Sequence, residues 1–279
     1  MPSLQGRHSS GKAGQPIRKL VKLKIIVIFL LILFCTVSPV EAWELAVSDP
    51  WLAVVARFVG GTAVQVRPLA TWGDQGEVMA LRQKTDANVP TLRLVCTNPK
   101  NGTKCLYSVL PVPGEKMGSL FFDPASLPFI GQRLLQLLSE WDPGNYSLFQ
   151  RRLAEFQSRL DGNLAIGRKL IAGLPILDLT FLTTPWLQAA SGDLLRPPEG
   201  HFETWRCGEG TGLLEEWLSR AQKEKRTVVA DVWTPAVVKD RLANFTGSVV
   251  FPPPSLDLEW TLYLHDLYLA LISATADRS

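Results

Sequence analysis

The stretch from Asp142 to about Ala172 limits most sharply what this chain can fold into. Asp142-Pro143 reads as a helix cap followed by the first helical residue. The carboxylate can accept an orphan backbone N–H, and proline's fixed φ suits the first turn. Tyr146, Phe149, Leu153, Phe156, Leu160 and Leu164 then recur at three- and four-residue spacing. Gln150, Arg151, Arg152, Glu155, Gln157, Ser158 and Arg159 fill the other faces, which makes one apolar stripe on an amphipathic helix. Gly173 and Pro175 end it. A helix over 142–172 would be roughly 45 Å long, enough to cross a small domain. Gly162 and Gly167 weaken its second half by up to about 1 kcal/mol each relative to alanine. Two arrangements stay open: a strut between two lobes, or one arm of a helical hairpin inside a single domain.

Charge is best read after the N-terminus is set apart. Arg7, Lys12, Arg18, Lys19, Lys22 and Lys24 precede any acid, and Ile25 to Val37 is an apolar run of about thirteen residues. Ser38-Pro39 breaks the run, and Val40-Glu41-Ala42 has the small-x-small form of a cleavage site. This is the pattern of a secretory signal peptide with a long basic lead-in, removed near Ala42. An uncleaved anchor is the alternative, although the run is short of the roughly 20 residues a membrane span needs. Cleavage removes six of the 29 basic residues and one of the 26 acidic ones, leaving 23 against 25. No basic surplus points to nucleic acid. A periplasmic or otherwise exported, oxidising location is expected.

Past the signal, element types alternate. Glu44–Val47 reads as a strand, Asp49-Pro50 caps a helix carrying Trp51, Leu52, Val54, Val55, Phe58 and Val59, and Ala63–Val66 reads as a second strand. Such a βαβ start implies a parallel sheet covered by helices. Trp72-Gly73-Asp74-Gln75-Gly76 follows as a loop at a strand's carboxyl end, where open α/β sheets bind ligands, and Glu77–Lys84 reads as a short helix. Asp123-Pro124 caps another helix that runs into the long one. Beyond Pro175 the pattern repeats: strands at 175–181, 227–232 and 248–251, and helices at 185–190, 213–223, 235–245 and 256–274. The expected fold is α/β, two α/β lobes joined by one long backbone helix. The expected divisions are 1–42 signal peptide, 43–141 first lobe, 142–172 linking helix and 173–279 second lobe.

Leu92–Cys96 and Cys105–Leu110 flank Asn98-Pro99-Lys100-Asn101-Gly102-Thr103, and Asn-Gly is a strong hairpin signal. Cys96 and Cys105 would face each other across that hairpin. In an oxidising compartment they read as a disulfide worth about 2–3 kcal/mol; the metal-pair alternative needs two further ligands, and none lies nearby. Cys207 is left over as a buried thiol, an intermolecular link or a ligand.

Several segments together resemble the solute-binding proteins of zinc and manganese ABC transporters, the ZnuA/TroA-like cluster A-I. They are Phe121-Phe122-Asp123-Pro124, Ser139-Glu140-Trp141-Asp142-Pro143, Gly200-His201-Phe202, Val229-Ala230-Asp231 with Thr234-Pro235, and Phe251-Pro252-Pro253-Pro254. The resemblance covers nearly all of the chain after the signal. It implies the TroA-like fold, a rigid helical backbone, a monomer with a small ligand or metal ion in its cleft, and an ABC transporter permease as partner. Zinc or manganese is implied by the family only. The departures fall on the ligands. A zinc site needs about four His, Asp or Glu donors, but the family's positions fall at Gln75 or Gly76, Ser119, near Phe181, and at Pro252. Only His201 and His265 remain after the signal, and the family's His-rich loop is missing.

Two candidate sites follow. A rebuilt metal site could gather His201, Glu203, Cys207 and Glu209, whose donors suit zinc; the same residues also suit a polar loop at a lobe rim. A non-metal site could be lined by Trp72, Phe121, Phe181, Trp186 and Trp233, with Asp74, Gln75, Ser119 and Asp231 as polar contacts. Those aromatics could equally pack the lobes together. No nucleophile sits with a base at a telling spacing and no phosphate-cradling glycine loop is present, so an enzyme is not expected. A binding or scaffold protein that keeps the fold without transport is the alternative function.

Overall fold

The first strand is half-buried at its start and fully buried over residues 45–47, and a helix cap follows it. In the computed structural model, which describes residues 42–82, 88–96, 98–99 and 102–276, β1 (Trp43–Val47) leads into α1 (Pro50–Gly60). Asp49 caps α1 by accepting the Leu52 N–H at 3.2 Å, and Gly61 at φ +54° stops it. β2 (Val64–Pro68) returns parallel to β1, with Trp43 opposite Val64. β3 (Ala70–Trp72), β4 (Val78–Ala80), β5 (Thr91–Val95) and β6 (Thr103–Tyr107) follow. The first sheet has the order β2-β1-β5-β6, parallel throughout.

Two sequence expectations fail here. Glu77–Lys84 is not a helix: β4 pairs antiparallel with β3, Trp72 opposite Val78, because the Gly73–Gly76 turn folds the chain straight back. That turn is closed by the Gly76 N–H to Gly73 C=O bond, with Gly76 at φ +79°. Residues 83 and 84 of the expected helix lie outside the described residues. Nor do β5 and β6 form a hairpin, since Thr91 faces Thr103 in a parallel pair. Strands of only five residues let a short connection carry the chain back along their length. The Cys96–Cys105 disulfide is present nonetheless.

α2 (Leu127–Trp141) ends at Asp142, whose carboxylate caps a 3-10 turn, Pro143–Asn145, before α3 (Tyr146–Ile171) begins. α3 is about 39 Å long and continuous through Gly162 and Gly167. It buries Phe149, Leu153, Phe156, Leu160, Asn163, Gly167 and Ile171; Tyr146 of the expected stripe is exposed and Leu164 only half-buried. The second sheet is also parallel, in the order β10-β9-β7-β8, from β7 (Ile176–Asp178), β8 (Leu194–Leu195), β9 (Thr227–Asp231) and β10 (Ser248–Phe251). Its helices are α4 (Thr184–Ala190), α5 (Glu199–Arg206), α6 (Thr211–Lys223), α7 (Ala236–Leu242) and α8 (Trp260–Ala276). Both sheets belong to one compact unit from Ala42 onward. Among the described residues no helix is long and apolar enough to cross a membrane.

α3 is held on several sides. Phe156 packs on Phe58 of α1 with ring centres 5.2 Å apart. A Cβ on Gly131 of α2 would lie 2.6 Å from Leu153, so the absent side chain lets the two helices approach. Arg168 donates to the Ala189 carbonyl of α4 at 2.9 Å, and Asn163 donates to the Thr261 carbonyl of α8 at 2.5 Å. Tyr268 of α8 lies directly over Gly167, where any Cβ would overlap its ring. Gly167→Ala should therefore lower stability by about 1–3 kcal/mol, the usual range for overpacking, despite alanine's better helix propensity. Chemical denaturation checks this; an unchanged or raised midpoint would show that Tyr268 moves aside freely.

Candidate functional site

The loops that leave the carboxyl ends of the parallel strands converge. Ser48-Asp49-Pro50-Trp51 follows β1, the turn at 73–77 joins β3 to β4, Leu179–Thr183 follows β7, Val232–Pro235 follows β9, and Pro252 follows β10. Trp51 stands at the centre. Its ring lies 4.8 Å from Trp72, 5.9 Å from Phe121 and 5.5 Å from Phe122, all before α3 in sequence. It also lies 5.0 Å from Trp233 and 5.9 Å from Trp260, both after α3. Of these, only Trp233 is more than slightly exposed. The indole N–H groups of Trp72 and Trp260 are buried and meet no acceptor among the described residues.

Polar ties cross the same seam on two sides. Trp233 donates from Nε1 to the Gly76 carbonyl at 2.8 Å, and Lys239 Nζ donates to Gln75 Oε1 at 2.9 Å. A Cβ at Gly76 would stand 2.5 Å from Trp233 Nε1, so glycine serves both the turn and the indole's approach. On the other side the 3-10 segment Gly114–Phe121 meets α5: Arg206 pairs with Glu115 at 2.6 Å, and Lys116 pairs with Glu199. Phe181 sits under both cations, 5.6 Å from Lys116 Nζ and 5.0 Å from Arg206 Cζ. Gly118 is close-packed as well, since a Cβ there would lie 2.7 Å from Leu182.

Asp231, fully buried at the end of β9, organises the loop after β7. One carboxylate oxygen accepts backbone N–H groups from Phe181 at 2.9 Å, Leu182 at 2.7 Å and Thr183 at 3.1 Å. The other accepts from the Thr234 hydroxyl at 3.0 Å. Burial pushes its carboxyl above the ordinary aspartate range, against the pull of these donors. Asp178 is buried beside it and pairs with Arg196 at 3.1 Å.

The expected site residues therefore separate. Trp72 and Phe121 join the cluster around Trp51. Asp231 and Phe181 are linked through the backbone, but Asp231 is committed to holding the loop. Asp74 and Gln75 are exposed at the seam, and Ser119 is half-buried with its hydroxyl turned to the Lys116 carbonyl at 2.7 Å. Trp186 lies elsewhere, stacked 5.8 Å from Tyr268 against α3's side of the structure. The segment with His201 and Glu203 is helix α5, not a rim loop. His201 Nδ1 accepts the Trp217 indole N–H at 3.1 Å. Glu203 lies 3.6 Å from Arg206, Glu209 is exposed, and Cys207 is an exposed free thiol rather than a buried one, because α5 ends there and turns into solvent. Among the described residues no three His, Cys, Asp or Glu side chains are grouped to hold a metal ion.

Trp51, Lys116, Glu199 and Arg206 were missed as site residues by sequence reasoning. For Trp51 a signal existed: it directly follows a capped turn at the end of the first strand, where such sheets place ligand contacts.

No protein-family model matches the chain, and no curated protein does either. Solved structures do match in fold. A crystal structure of ZnuA is 17% identical, covers 86% of this chain and 100% of its own, and superposes with a TM-score of 0.61. A Cd-bound periplasmic metal binding protein from Candidatus Liberibacter asiaticus is 13% identical over 84% of this chain and 98% of its own, TM-score 0.55. A Zn(II)-bound AdcAII variant of Streptococcus pneumoniae is 14% identical over 83% and 99%, TM-score 0.54.

Asp49 gives the seam a pH dependence. Burial raises its carboxyl to about 6, against the N–H bonds it accepts from the first turn of α1. A raised acid favours the folded state while protonated. Its contribution is full below about pH 4 and is lost as pH rises to about 6. Asp49→Asn keeps a capping oxygen and removes the charge. Relative to the parent it should gain roughly 2–3 kcal/mol at pH 7 and little at pH 4, as read by denaturant unfolding at both pH values. A difference independent of pH would contradict this.

Proposed function

The ZnuA-like fold is the premise; we propose that this chain is an exported solute-binding component of a metal-type ABC importer in which the usual His and Asp ligand positions have been replaced. The halves 43–141 and 173–279, joined by the long helix, would enclose a small non-metal ligand and present it to a permease. The observation that carries the proposal is the aromatic cluster around Trp51, with its two unmatched indole donors, at the seam where the family's ligands would converge. Buried donors without acceptors are rare in folded proteins, and a ligand carbonyl or carboxylate would satisfy them. Rings of this kind suit a small organic or chelated ligand better than a bare ion, since a bare zinc ion needs nitrogen, sulfur or carboxylate donors. The N-terminal basic and apolar segment supports export, with cleavage near Ala42.

A second reading is a non-transport scaffold that keeps the fold. The ties from Trp233 to Gly76 and from Glu115 to Arg206 favour it, because they join the two sides directly. The two readings differ in what the purified protein carries and binds. Calorimetry should give no saturable heat with zinc or manganese at micromolar concentrations; micromolar or tighter binding of either ion would overturn the loss of the ordinary site. Mass analysis of gently purified, then denatured protein decides between the readings. A stoichiometric organic or chelated ligand supports the receptor, whereas protein recovered empty supports the scaffold.

A further inference from the structure

The two margins of the seam are held unequally. At one, the segment Gly114–Phe121 buries Met117, Gly118 and Phe121 and is joined to α5 by two ion pairs. At the other stands the β3–β4 hairpin, a two-stranded sheet that pairs with neither four-stranded sheet. Glu77 and all of β4 are exposed, Val78 by 55% and Met79 by 44%. At the hairpin's root, Leu69 donates to the Val47 carbonyl and Leu81 donates to the Leu69 carbonyl, each at 2.8 Å. Its tip reaches the second half through the bonds to Trp233 and Lys239. An element with one exposed strand and few buried contacts belongs to the low end of local stability. Trp72, the hairpin's one aromatic ring, adds a term of its own. Its contact with Trp51 favours closure, but its Nε1–H is buried there without an acceptor among the described residues. Water satisfies that donor when the hairpin swings out, and a buried unmatched donor costs the whole of its lost hydration.

We propose that the hairpin over residues 70–80 is a flap on the ring cluster around Trp51, that it swings as a unit about its root at Leu69 and Leu81, and that Trp233 is its catch. Trp233 is the half-exposed ring of the cluster, 5.0 Å from Trp51, and it holds the Gly76 carbonyl at the flap's tip. Lys239 Nζ adds a second tie, since it binds both Gln75 of the flap and the Val232 carbonyl beside Trp233. Such a flap opens the compartment while α3 stays straight. Its role as an entrance rests on the receptor reading above; its motion does not. A ligand acceptor that takes the Trp72 N–H inside the compartment makes that bond with the flap shut and not with it open. A difference in contact between two states is what lets a ligand shift their balance, so the ligand draws the flap closed over itself.

Exchange of tryptophan indole protons with water tests the flap, followed by NMR on the chain as its host processes it and with no ligand added. Trp186 is the internal reference: its Nε1–H is buried too, but it stacks on Tyr268 away from the flap. The Trp72 indole proton should exchange at least about 100-fold faster than that of Trp186, as local opening outpaces unfolding of the whole. Its rate should also stay nearly constant in sub-denaturing urea, because a swinging hairpin exposes little surface, whereas the Trp186 rate should climb steeply. Lys239→Met removes one tie and should speed Trp72 exchange about 3–10-fold, the effect of one hydrogen bond, with Trp186 unchanged. A Trp72 proton as slow and as urea-dependent as that of Trp186 would overturn the proposal, and so would a Lys239→Met variant in which Trp72 exchange is unaltered. Failure here strikes the flap alone, whereas protein recovered empty in the mass analysis strikes the receptor reading and leaves the motion standing.

Discussion

Trp51 is the contact on which the arrangement of the two sheets depends. It projects from the first turn of α1, immediately after a strand, and five aromatic rings from both sides of the long helix close around it. Edge-to-face and offset ring contacts of this kind add to simple burial, and removing a buried tryptophan side chain costs about 3–5 kcal/mol. A seam packed this way is held from within. The polar ties at Gly76 and at Glu115 sit at its margins, where exposed ion pairs contribute little each; their effect is to fix the register of the two sides.

The remaining rigidity comes from one helix and one carboxylate. α3 touches α1, α2, α4 and α8, so both sheets are referred to the same rod. Asp231 then fixes the loop after β7 through three backbone N–H groups. That loop carries Phe181 and Leu182 to the seam, where Leu182 meets Gly118. The chain of dependence runs from a buried carboxyl group, through a backbone loop, to side-chain packing between halves. A side chain at Phe181 or Trp51 is thereby placed by contacts far from it in sequence.

How much of this was legible beforehand follows from what each feature needs. The long helix, the Asp49-Pro50 start and the strand at Ser248–Phe251 depend on local periodicity and capping, and the sequence displays both. Glu77–Lys84 misled because its apolar spacing is compatible with a helix, while the deciding factor was a glycine turn pairing β4 with β3. The 92–110 region misled because Asn-Gly is a hairpin signal only when the chain reverses, and here it does not. In the candidate site, Trp72 was readable because it opens a loop at a strand's carboxyl end, and Phe121 because it lies in a segment that resembles the ZnuA/TroA-like family. The pairing of Glu115 with Arg206, 91 residues apart, and the gathering of five rings on Trp51 arise from folding in three dimensions and leave no local pattern.

Hydrogen–deuterium exchange on Trp51→Ala, compared with the parent, tests most directly whether this tryptophan joins the two sides. The account predicts faster exchange in the Gly73–Glu77 turn, in Gly114–Phe121 and in Val232–Thr234 together, with the β1–β2 and β9–β10 ladders little changed. Faster exchange confined to α1, with the loops of the second sheet as protected as before, would contradict it.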